Sequence, residues 1–286
     1  MDVFNLERWT MRLLRGSLLP FILALIALQC GGRKIAKNID IEFVKIPGGS
    51  FDMGDRWGTG DSDERPVHPV KVKTFNLSKT EITVAQFRRF VQATGYLTDA
   101  DTTGWGVAWN GEQGGIVKGA NWQKPGFDQE EDHPVVMVSW NDAVAFCKFT
   151  GTRLPTEAEW EYAGRNGNQN DRFPSGDSLT MTDANYKVTG LSDPFPFTSR
   201  VESFKPNRFG LFDMAGNAAE WCSDWYDPTY YEEHEKSNPR GPSSGQYHVI
   251  RGGSFMDNRD FCRSVERNAG LADDRVYTVG FRVALP

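Results

Sequence analysis

Residues 134–165 read PVVMVSWNDAVAFCKFTGTRLPTEAEWEYAGR. From Asn141 to Gly151 the apolar residues recur at helical spacing and Gly151 supplies a stop. Directly after, Thr156 and Glu159 form a capping box, and Gly164 ends a shorter helix. The stretch therefore predicts two helices joined by a tight proline turn. Cys147 falls among Ala143, Val144 and Phe146 on the face expected to be buried, where a thiol serves as a small hydrophobe.

Upstream, Thr83 to Gly95 (TVAQFRRFVQATG) places Val84, Phe87 and Val91 at helical spacing, with Thr83 as N-cap and Gly95 as stop. Ile41 to Met53 reads as two short strands around a Pro-Gly-Gly turn, the chemistry of a hairpin. Downstream of Asp171, Gly, Pro, Asn and Asp recur so often that much irregular backbone is expected, up to the alternating stretches HVIRGGSF and YTVGFRVAL. Tyr226 to Gln246 reads as a long surface loop. No repeat of 20 to 50 residues is visible, so one domain from about residue 40 to Pro286 is preferred over two.

The first 30 residues have a different character. Arg8, Arg12 and Arg15 precede an apolar run from Leu18 to Leu28, the layout of a signal peptide. The run is 11 residues long, whereas a membrane-spanning helix needs roughly 20. Ala27-Leu28-Gln29-Cys30 resembles a relaxed lipobox in which Cys30 would carry lipid, leaving the mature chain anchored to a bacterial membrane on its periplasmic or surface side. Ordinary cleavage nearby, giving a periplasmic or secreted protein, is the alternative. Four cysteines occur, so lipidation of Cys30 leaves an odd number, Cys147, Cys222 and Cys262, in an oxidising compartment. The net charge of -6 with scattered basic residues argues against a nucleic-acid partner. A monomer is expected.

Four blocks in order carry a resemblance: IPGGSFDMG with DERPVHPV; the stretch quoted first; NRFGLFDMAGNAAEWCSDWY; and RGGSF followed by CRSVER and GFRVAL. Together they are similar to the formylglycine-generating enzyme (sulfatase-modifying factor) family over nearly the whole exported part. The resemblance implies an α+β fold, a single domain related to C-type lectins, rich in irregular structure and held by calcium. It implies one calcium site from Asp213 and Glu220 with the carbonyls of Gly216 and Ala218. A second would use the side chains of Asn185 and Asp193 with the carbonyls of Tyr186 and Phe195. Hard oxygen ligands of this kind suit calcium. Read without the resemblance, Asp and Asn in such loops more often cap turns.

Oxidase members of the family hold copper(I) between two cysteines five apart that follow a Gly-Gly-Ser-aromatic segment. Laid onto Gly252, Gly253, Ser254 and Phe255, that motif puts the second cysteine at Cys262 and the first at Asp257. Ser254 and Cys262 are then the candidate catalytic residues, but a carboxylate replaces one soft ligand, so copper is expected to bind poorly. Cys222 could substitute for the missing sulfur, be disulfide-bonded to Cys262, or lie buried as a second thiol. The hallmark residues Arg153, Glu157, Glu161, Arg251, Arg263 and Arg282 are expected to form buried ion pairs.

Three functions follow. The preferred one is a calcium-stabilised binding or maturation module at the membrane surface, acting on a protein or peptide client without the copper oxidase activity. The first alternative is an oxidase converting a sulfatase cysteine to formylglycine. The second is an iron enzyme like the sulfoxide synthases, which ranks last because His68, His133, His234 and His248 share no metal-ligand spacing with one another.

Overall fold

The computed structural model describes residues 39–167, 171–188, 194–232 and 235–286. The expected signal segment with Cys30, and also Asp193 and His234, lie outside the described residues.

Residues 43–53 run antiparallel to 68–78 as one bent ribbon. β1 (Phe43–Ile46) pairs with β4 (Phe75–Ser78), and β2 (Gly49–Met53) pairs with β3 (His68–Val72). This corrects the expected hairpin: the strands flanking the Pro-Gly-Gly turn do not pair with each other. The bend lies at Gly48, where an added Cβ would sit 2.5 Å from Thr74 N and 2.7 Å from Val72 O. Glycine lets the two backbones meet there, so the ribbon turns a corner instead of reversing.

Helix α1 (Val84–Thr94) is capped by Thr83, whose hydroxyl accepts from Gln86 N at 3.2 Å, and stops at left-handed Gly95. Its buried face is Val84, Phe87 and Phe90, with Val91 only partly covered. After the short α2 (Asp99–Thr103), β5 (Trp105–Trp109) and β6 (Gly114–Lys118) form a separate antiparallel pair. Helix α3 (Trp140–Thr150) stops at Gly151, and α4 (Glu157–Gly164) carries the capping box, with Thr156 N donating to Glu159 Oε2 at 2.9 Å. Both helices end within a residue of their sequence-predicted limits. No helix among the described residues is long and apolar enough to cross a membrane.

The main sheet has the order β10 (Val279–Gly280), β7 (Ala219–Tyr226), β8 (Tyr247–Arg251), β9 (Asn268–Leu271). β7 is antiparallel to β8 and parallel to β10. On one side α1 and α3 bury an aromatic cluster of Phe87, Phe90, Phe146 and Phe281, with Phe87 and Phe281 0% exposed. Offset and edge-to-face ring pairs add about 0.5–1.5 kcal/mol each beyond burial. The segment 227–246 contains no strand among its described residues, as expected, but Tyr231 within it is buried and ties it to the core. Residues 39–286 form one compact unit.

Candidate functional site

Two turns meet beyond the end of β8. The first, residues 213–217, has left-handed backbone at Asp213 (φ 55), Gly216 (φ 71) and Asn217 (φ 59). Strain of this kind persists only where surroundings hold it. At Gly216 a Cβ would lie 2.1 Å from the carbonyl oxygen of Asn185, so the close approach itself requires glycine. The second turn follows Arg251 through Gly252 and Gly253 to Asp257. The two interlock: Gly216 N donates to Gly252 O at 2.9 Å, and Phe255 N to Asn217 O at 3.1 Å.

In the second turn Asp257 faces inward on its own loop. Its Oδ2 accepts from Ser254 N at 2.9 Å and Ser254 Oγ at 2.6 Å. Ser254 Oγ in turn accepts from Met256 N at 3.2 Å and the residue is 1% exposed. The expected catalytic hydroxyl is thus a turn-holding group. Cys262 is fully buried among Phe173, Leu179, Ala184 and Ala215, with its thiol 3.8 Å from Asn258 O. Burial first, then the charge of Asp257, pushes its pKa far above the usual thiol value. Without a metal beside it the thiol is held toward its neutral form, whereas the thiolate is the form that binds metal or attacks.

Cys222 and Cys262 are both free, which removes the disulfide alternative. Cys222 belongs to the core around Ile46, Phe51 and Trp160, a different cluster from that of Cys262, so it supplies no replacement sulfur. Cys147 is buried in α3 and burial pushes its pKa up to about 12, as fits its packing role.

An arginine at the base closes the loop. Arg251 lends Nη1 to Val265 O at 2.8 Å and Nη2 to Ser264 O at 3.1 Å, and pairs with Glu161 of α4. Glu161 also holds Arg165 at 3.0 Å. Arg267 grips Glu157 at 2.7 and 3.1 Å, and Arg263 grips Glu64 at 2.6 and 2.8 Å. Two-point guanidinium–carboxylate pairs fix geometry as well as charge. The expected network exists, with Glu64 and Arg267 as additional members. Arg153 is the exception: its partner is Glu159, and its side chain is 35% exposed.

The calcium expectation can be tested on bare oxygens. Asp213 Oδ1, Asn185 Oδ1 and Glu81 Oε2 are buried without a hydrogen-bond partner. Glu81 is 0% exposed, and burial followed by the charges of Asp213 and Glu220 pushes its pKa well up. Buried carboxylates with unused oxygens, near enough for Asp213 and Glu220 to raise the pKa of Glu81, would suit a hard cation between them. Glu220 is different: Arg282 holds it at 2.6 and 2.7 Å, and Trp160 Nε1 donates to the same Oε2 at 2.6 Å. An ion held there would share Glu220 with Arg282 and would find free side-chain oxygens on Asp213 and Glu81.

Glu81 has no local signature, because its partners Asn217 and Ala218 lie more than 130 residues away in sequence. In the second expected site, Asn185, Tyr186 and Phe195 line a cavity of about 10 Å³. That is about the room of one water-sized sphere. His68 and His248 are buried in separate aromatic contacts, on Tyr231 and between Trp140 and Trp225, so these two do not come together.

The model of the sulfatase-modifying factor enzyme 1-like domain matches residues 34–286. The chain belongs to the formylglycine-generating enzyme family. The formylglycine-generating enzyme of Streptomyces coelicolor is 38% identical, covering 84% of this chain and 88% of that enzyme. Inactive C-alpha-formylglycine-generating enzyme 2 of Mus musculus is 32% identical, with 94% of each chain covered. Among solved structures, PvdO from Pseudomonas aeruginosa superposes with a TM-score of 0.73 at 32% identity, over 87% of this chain and 95% of that one. The mixed α/β fold read from the sequence is therefore the fold of this family.

Proposed function

We propose that this protein is an exported, calcium-stabilised member of the family that binds or matures a protein client at the membrane surface, without copper-dependent cysteine oxidation. The observation that carries the reading is Asp257: it stands where the first sulfur ligand is expected, and its carboxylate is hydrogen-bonded into its own turn. Cys262 beside it is a single buried sulfur, only half of the soft pair that copper(I) takes. The loop from Asn258 to Phe261 is exposed, with Phe261 45% accessible, and offers an apolar contact for a polypeptide. A relative named as inactive supports an inactive member; relatives named as formylglycine-generating enzymes support a sulfatase-like protein client. In this reading calcium supplies only charge neutralisation, with Asp213 and Glu81 beside one ion and Asn185 beside a second.

Incubation of the calcium-loaded full chain with copper(I) and a cysteine-containing sulfatase-type peptide, followed by mass spectrometry, tests this. No formylglycine is expected. Copper-dependent formylglycine that disappears in Cys262→Ser would overturn the proposal in favour of the oxidase, the reading that the free state of Cys262 keeps open.

A further inference from the structure

A second polar cluster lies away from the turns just described. Glu130, Asp132 and His133 each offer one ligand atom, and these atoms lie within 4.8 Å of one another. The segment is held on two sides. Val84 N and Ala85 N at the start of α1 donate to the carbonyls of His133 and Glu131 at 2.9 and 2.8 Å, and Val201 N donates to Asp132 O at 2.9 Å.

Glu130 is exposed and the Asp132 side chain is 42% exposed, but Asp132 and His133 are each fixed by a neighbour. Asp132 places Oδ2 on Arg200 Nε at 2.6 Å, while its Oδ1 is buried and has no hydrogen-bond partner. His133 Nδ1 lies 3.0 Å from Thr198 Oγ1, which also accepts from Gln129 Nε2 at 2.9 Å. A ring oriented by a neighbour through one nitrogen is the pattern of a ligating imidazole. Arg200 offsets one of the negative charges of Glu130 and Asp132, and Glu131 is separately engaged by Arg88 at 2.9 Å. One unit of negative charge remains beside the imidazole, with Asp132 Oδ1 and the Glu130 carboxylate unbonded among the described residues.

We propose that Glu130, Asp132 and His133 form a site for a divalent transition ion of the zinc or manganese class. One imidazole nitrogen with two carboxylate oxygens suits such ions, whereas calcium and magnesium take all-oxygen shells. Three protein ligands leave a position for water or for a donor from a client.

Equilibrium dialysis of the calcium-saturated full chain against Zn²⁺ and, separately, Mn²⁺, with elemental analysis, tests the site. One ion per chain beyond calcium is expected, with a shift of the His133 imidazole ¹⁵N resonances on adding Zn²⁺. Glu130 is exposed and its side chain makes no hydrogen bond among the described residues, so Glu130→Gln keeps the fold and weakens binding at least about tenfold. Thr198→Val, which frees the ring, weakens it about tenfold. The proposal fails if neither ion binds beyond calcium, or if binding is equal in Glu130→Gln and the His133 resonances do not move.

Discussion

A carboxylate at position 257 does two things that a thiol would not: it closes a turn through Ser254 and it raises the pKa of Cys262 by its charge. Both positions were legible from the spacing after Gly252-Gly253, because a local motif fixes them. The use of Ser254 was not, since which way a hydroxyl turns depends on its neighbours in space. Glu81 was invisible for the same reason. Asp224 shows a titration consequence at this scale. It is buried without a cation, and burial, then the charge of Glu157, pushes its pKa up to about 7. The folded state therefore holds this proton more tightly than the unfolded chain. The resulting stability is full below about pH 4 and is lost as pH rises through about 7. Asn at 224 keeps acceptors for Glu157 N and Ser223 Oγ without titrating. In urea unfolding, Asp224→Asn should gain stability relative to wild type as pH rises from about 4 to about 8. A difference constant with pH contradicts this.

Among the elements, those with local punctuation were read correctly. Thr83 with Gly95 and Thr156 with Glu159 set helix limits by contacts within one turn of chain. The pairing of β1 with β4 was missed because strand partners are chosen by packing, and Gly48 looks the same in a hairpin and at a corner. The turn 213–217 depends on Asn217, which is 0% exposed. Its Nδ2 donates to Glu81 Oε1 at 3.1 Å and its Oδ1 accepts from Ser199 N at 2.9 Å. Asn217→Ala leaves Ser199 N buried and unsatisfied, at about 1–3 kcal/mol, and leaves Glu81 Oε1 with only the longer bond from Ala218 N at 3.4 Å. A loss of at least about 2 kcal/mol in denaturant unfolding is expected. A loss under about 0.5 kcal/mol, the range of ordinary surface changes, would show that the turn does not rest on this residue.

For the whole molecule, the 213–217 turn and the Asp257 turn are one unit, joined by Gly216 N to Gly252 O and Phe255 N to Asn217 O. Calcium at about 100 times its Kd adds roughly 2.7 kcal/mol to the native state. A chelator should then lower the melting temperature by about 5–10 °C for a domain of this size. An unchanged melting temperature, with calcium shown to be removed, would contradict the role given to Asp213, Glu81 and Asn185. The measurement that bears most directly on the central claim is a copper(I) titration against a competing chelator, run in parallel on the wild-type chain and Asp257→Cys. Because Cys262 is a free thiol, the variant should take one copper(I) per chain from the chelator, and the wild type should take none. Equal, tight binding by both, abolished by Cys262→Ser, would show that the fold does not need the missing sulfur.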